Sequence, residues 1–121
     1  MTQKMSERRR FIRLEIPIAL KIKGAGWEEN TIAKNISPIG MRFVVHNEVN
    51  KGDILHITMY LAGEEGLVNV KGKAVWVTKT SLEDSSPNDV GLEIIDIEEK
   101  KKNMLLKYLC DLFYNSSYIA R

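Results

Sequence analysis

Two short stretches of this 121-residue chain carry side chains suited to gripping a ligand. The first is Ser6-Glu7-Arg8-Arg9-Arg10-Phe11-Ile12-Arg13. Arginine presents a flat, forked cation that matches phosphate oxygens and the O6/N7 edge of guanine, and it can also stack on a base. Placed just ahead of a strand, Arg9 and Arg13 are spaced to bracket one ligand. The second stretch is Asn35-Ile36-Ser37-Pro38-Ile39-Gly40. Asn35 offers donor and acceptor atoms and Ser37 a hydroxyl. One residue apart, they share a face of an extended segment. Gly40 lets the chain turn tightly or a ligand approach the backbone. Together the two stretches point to a planar, anionic ligand. The plainer alternatives are a solvated basic terminus and an Asx/Ser turn that binds nothing.

Catalytic chemistry has little support. His46 and His56 stand outside any motif, and His56 falls on the polar parity of its strand. Cys110 reads as a small packed residue of a helix rather than a nucleophile. Glu64-Glu65 lies in a glycine-flanked turn, a poor mount for an acid–base pair. Glu98-Glu99 reads as first-turn charge that complements a helix dipole. Metal ligation needs clustered His, Cys or carboxylates at ligand spacing, and the sequence has no such cluster. A glycine-rich phosphate loop is also missing. The expectation is a protein that is not an enzyme and uses no cofactor or metal.

The elements that must position the two stretches follow from length and periodicity. One domain is expected at this size. The net charge of +2 is uneven. Residues 1–13 hold Lys4, Arg8, Arg9, Arg10 and Arg13 against Glu7, so a basic arm precedes a slightly acidic body. One cysteine rules out an intrachain disulfide and favours a reducing, cytoplasmic location. The pattern of a signal peptide is missing, and no apolar run is long enough to span a membrane.

Leu14, Ile16, Ile18, Leu20 and Ile22 alternate with Glu15, Pro17, Ala19, Lys21 and Lys23, the period of a half-buried strand. Further strands are predicted over Glu28 to Ile36, Ile39 to His46, Asp53 to Leu61, Leu67 to Thr80 and Val90 to Ile97. Gly72 marks a bulge or bend in the long fifth strand, and the apolar parity of the last strand shifts between Ile94 and Ile95. Trp76 shares parity with Val68, Val70 and Ala74, which places it in the core. Met104, Leu105, Tyr108, Leu109, Leu112 and Phe113 recur at helical spacing. The predicted architecture is all-β dominated: a six-stranded antiparallel barrel over residues 14–97, preceded by the arm at 1–13 and followed by a C-terminal helix at 98–115.

Arg9-x-x-x-Arg13 followed by Asn35-x-Ser37-x-x-Gly40 resembles the two-part signature of PilZ domains, RxxxR plus (D/N)xSxxG. Gly91 matches a further glycine late in the family's chain. The resemblance covers roughly residues 7 to 113. It implies a six-stranded barrel that binds cyclic di-GMP, a bacterial second messenger. By position, Arg9 and Arg13 would grip guanine and phosphate, Asn35 and Ser37 would contact the guanine, and Gly40 would shape the loop. Arg8, just before the first motif arginine, would stack on a second, intercalated ligand.

That resemblance implies a regulatory receptor. Without ligand the basic arm is expected to be mobile; a dianion would pin it beside Asn35 and Ser37 and change the surface shown to an unidentified protein target. The family suggests motility, adhesion or exopolysaccharide control. A homodimer through the helix face is a further possibility. Two alternatives stand beside this reading: a PilZ-like interaction module that binds no nucleotide, and a small-barrel nucleic-acid binder using the basic arm. A nucleic-acid polymer is not the expected partner, because the aromatic residues are scattered.

Overall fold

The computed structural model describes residues 18–61 and 66–119. The described strands are β1 (Ala19–Gly24), β2 (Trp27–Ser37), β3 (Gly40–Val45), β4 (Ile54–Tyr60), β5 (Leu67–Lys79) and β6 (Asn88–Ile97), followed by helix α1 (Glu99–Ile119). They close into an antiparallel barrel in the order β1-β2-β3-β6-β5-β4. Closure pairs strand edges that would otherwise be open to other chains.

Period-two alternation explains the interior. Leu20 and Ile22 of β1, Met41, Phe43 and Val45 of β3, and Leu55, Ile57 and Met59 of β4 are all buried. Burying each such side chain contributes about 1.5–3 kcal/mol. Leu105 and Leu109 of α1 join the same core, with Met104, Tyr108 and Leu112 packed against it. The helical stripe therefore covers barrel surface, and the helix runs past the expected end at residue 115. Cys110 is exposed on this helix, so the packed role expected of it is incorrect. It falls one position from buried Leu109, on the outward side of the turn.

Bulges decide which residues reach the outer faces. In β2 the register shifts between Ala33, opposite Phe43, and Asn35, opposite Arg42, so Lys34 is the extra residue. Between β5 and β6 it shifts from Lys71, opposite Asp96, to Gly72, opposite Ile94, so the extra residue is Ile95 of β6, where the apolar parity changes; the bulge expected in the fifth strand lies on the strand facing Gly72. Gly72 leaves the room that the Leu92 side chain takes. A second shift in β5 lies between Ala74, opposite Leu92, and Trp76, opposite Gly91. Ala74 is buried, yet Trp76 is 40% exposed. The core placement expected for Trp76 is thus wrong, because the extra residue Val75 resets the alternation and turns the indole outward.

Ile18, the first described residue, accepts at its carbonyl a hydrogen bond from the Ala33 N–H at 2.9 Å. The predicted first strand upstream of Ile18 lies outside the described residues.

Candidate functional site

Four adjacent strands contribute one residue each to a cross-strand row on the outer face. Asn35 (β2) pairs with Arg42 (β3), Arg42 with Gly91 (β6), and Gly91 with Trp76 (β5). The two bulges make this alignment possible. Without the first, Lys34 would oppose Arg42; without the second, Val75 would oppose Gly91. The row lines a groove of about 290 Å³ that Met41, Val75 and Leu92 complete.

Glycine at position 91 is what lets the indole lie down. A Cβ there would fall within the Trp76 ring. The ring covers Gly91, which is buried in a strand whose outer face is otherwise solvated. The Arg42 Cζ lies 5.8 Å from the ring centroid, within cation–π range.

Arg42 is also held from its other side. Its Nε donates to Asp89 Oδ1 at 2.9 Å and Oδ2 at 3.2 Å, and its Nη2 donates to Oδ2. Lys34 Nζ stands 4.0 Å from the same carboxylate. The Arg42 hydrogen bonds hold the Asp89 carboxyl below the usual aspartate range; partial burial opposes this, and the charges of Arg42 and Lys34 reinforce it. A base resting on Trp76 would therefore meet a fixed cation beside the ring. Stacking on an aromatic side chain is worth about 1–3 kcal/mol per base.

The second signature stretch forms the turn between β2 and β3. Ser37 is 1% exposed. Its Oγ donates to the Gly40 carbonyl at 3.3 Å and accepts from the Ile39 N–H at 3.4 Å. The hydroxyl thus braces the turn from within. Gly40 does not adopt a left-handed backbone. It is needed for proximity instead: a Cβ there would sit 2.6 Å from the Leu92 carbonyl oxygen of β6. Asn35 is half-buried and lines the groove. The structure thus brings Asn35 to the groove and gives Ser37 and Gly40 places in the adjoining turn. Arg8, Arg9 and Arg13 lie outside the described residues.

Sequence reasoning missed Arg42, Asp89 and the outward face of Trp76, and noted Gly91 only as a matching glycine. The available signal was weak. Asp89 and Arg42 are 47 residues apart, and only the β3–β6 register joins them. The two histidines stand apart from the groove. His46 is paired with Glu29, whose carboxylate also accepts from the His46 and Asn47 backbone N–H groups, and His56 is exposed on β4. Among the described residues, no group of three or more His, Cys, Asp or Glu is placed to hold a metal ion, and no helix is long and apolar enough to cross a membrane.

Comparison with known proteins bears on this geometry. The family model described as PilZ domain matches residues 7–110. Among solved structures, the Bacillus subtilis inhibitor of motility (MotI/DgrA) superposes with a TM-score of 0.73 at 21% identity, over 89% of this chain and 52% of that one. The PilZ domain of YcgR from Escherichia coli, solved with c-di-GMP, gives 0.71 at 14% identity, over 93% of this chain and 97% of that one. MrkH of K. pneumonia in complex with c-di-GMP gives 0.73 at 17% identity, over 92% and 55%. This chain therefore spans about half the length of the motility inhibitor and of MrkH, and all of the isolated YcgR domain but its margins. A search of curated proteins finds no match. With the family model covering most of its length and the barrel closing in the same fold as these structures, the chain belongs to the PilZ domain family.

Proposed function

We propose that this domain is a cyclic di-GMP-binding regulatory receptor rather than a catalyst. The row Asn35–Arg42–Gly91–Trp76 carries the reading. It sets an amide, a guanidinium and an exposed indole beside one groove, a combination suited to a guanine base next to a phosphate. The PilZ membership of the chain and the c-di-GMP complexes of the YcgR domain and MrkH support the same ligand.

In this reading Trp76 stacks on a base, Asn35 meets its polar edge, and Ser37 and Gly40 keep the turn in shape. Arg9 and Arg13 close over the ligand. Arg13 is five residues before Ile18, a reach of at most about 18 Å, and Arg9 is nine residues before it, at most about 32 Å. Ile18 is itself bonded to Ala33, two residues from Asn35. Arg8 adds a cation for a second, stacked ligand molecule. Ligand binding orders the basic arm and changes the surface offered to a protein target, in a cytoplasmic pathway such as control of motility or of adhesion. Charge-assisted hydrogen bonds contribute about 1.5–3 kcal/mol each. Replacing Arg9 or Arg13 by alanine should then weaken binding by about tenfold to a hundredfold or more. Calorimetric titration of these variants is the test, and wild-type affinity after Arg13→Ala would remove the arm from the site.

A further inference from the structure

The bulge of β2 puts two consecutive residues on one face. A regular strand would send Lys34 and Asn35 to opposite sides. Here Ala33 opposes Phe43 and Asn35 opposes Arg42, so Lys34 is the residue without a register position of its own. Its side chain is exposed and joins Asn35 outside the barrel. The bulge thus adds a cation next to the groove as well as aligning Asn35 with Arg42.

Lys34 and Arg42 share one carboxylate unequally. Arg42 holds Asp89 with both Nε and Nη2, the Nε lying 2.9 Å from Oδ1. Lys34 Nζ approaches the same carboxylate at 4.0 Å, the outer limit of an ion pair. The Asp89 side chain is largely shielded, whereas that of Lys34 is about half exposed. Two cations therefore meet one anion, and one positive charge is left over beside the groove. The next outward carboxylate of β6, Glu93, lies opposite Lys73 of β5.

This asymmetry decides which cation can move. Swinging Arg42 away would break a forked pair and leave a shielded carboxylate poorly compensated. Swinging Lys34 away gives up one long, solvated contact, which is worth little. Its ammonium is a point charge with three rotatable donors on a flexible stem, suited to a phosphate oxygen rather than to a base edge.

We infer that Lys34 is a phosphate-binding residue of the groove, leaving Asp89 for a ligand phosphate while Arg42 stays paired. The inference rests on the cyclic di-GMP reading above. It adds a residue of the barrel body to the arginines of the arm.

Calorimetric titration of the full chain with cyclic di-GMP tests it, at salt of about 0.05 M and about 0.5 M. Lys34→Gln should lower affinity by about fivefold at low salt, and Lys34→Glu by at least about tenfold. Lys34→Arg keeps the charge and should stay within about twofold of wild type. The deficit of Lys34→Gln should shrink at high salt, where screening weakens the phosphate contact. Position 34 is exposed, and unchanged thermal melts and tryptophan fluorescence check that fold and groove are intact. Undiminished affinity in Lys34→Gln, with the wild type binding, would overturn this inference alone. So would a deficit that is equal at both salts and comes with altered tryptophan fluorescence, because Lys34 would then act through the Arg42–Asp89 pair. A wild type that binds no cyclic di-GMP would overturn the ligand reading and this inference with it.

Discussion

Arg42 and Asp89 face each other on β3 and β6 in a forked pair, the Arg42 Nε lying 2.9 Å from Asp89 Oδ1. The pair fixes the guanidinium beside the Trp76 ring, so the cation of the groove is in place before any ligand arrives. Asp89→Asn should leave the fold intact but cost about 1 kcal/mol, the scale of a partly exposed forked pair. The pH dependence has a definite sign. A depressed carboxyl contributes stability that is complete above the usual aspartate value of 3.8 and is lost as pH falls through the lower folded value. Urea melts should show wild type and Asp89→Asn converging as acid is added; a constant gap from neutral pH down to pH of about 2 would contradict the pairing.

Gly91 and Trp76 make a prediction about binding rather than stability. Gly91→Ala places a methyl group where the indole lies, and the exposed ring has room to swing away. Stability should change by less than about 1 kcal/mol, while cyclic di-GMP affinity falls by about tenfold with loss of the stacking surface. Tryptophan fluorescence of the variant should report a more solvated ring. An unchanged spectrum together with unchanged affinity would contradict the flat packing.

Gly40 behaves in the opposite way. Its added Cβ would meet the Leu92 carbonyl oxygen at 2.6 Å, and backbone in a closed barrel cannot step aside. Gly40→Ala should therefore destabilise by about 1–3 kcal/mol, with denaturant melts as the measure. Ser37→Ala removes two long hydrogen bonds in the same turn and should cost no more than about 1 kcal/mol. Reversal of that order would mean that the turn, not the β3–β6 approach, selects the glycine.

The barrel was legible because its strands obey period two and its turns carry glycine or polar clusters. The Ile94/Ile95 parity change even disclosed a bulge, whose extra residue is Ile95 of β6, opposite the Lys71–Gly72 step of β5. The second bulge had no such marker: Val75 is an ordinary strand residue, and the indole of Trp76 looked like core until the register was known. Asn35 was found through its motif, and its partner Arg42 was missed because the bulge at Lys34 sets which residue lies opposite. The Arg42–Asp89 pair joins distant segments, and alternation within each strand is silent about the strand it will face. Ser37 was read as a ligand contact from its motif; that its hydroxyl also braces the turn was one of the two uses a serine beside proline and glycine offers.

The central claim is that the Asn35–Arg42–Gly91–Trp76 face holds cyclic di-GMP. Calorimetric titration of the full chain with cyclic di-GMP, against cyclic di-AMP and GTP, tests it most directly, with Trp76→Ala beside the wild type. The account predicts saturable binding selective for cyclic di-GMP, and a loss of about tenfold or more in Trp76→Ala. No heat and no thermal stabilisation of the wild type at high ligand concentration would contradict it, as would a Trp76→Ala protein that binds like the parent.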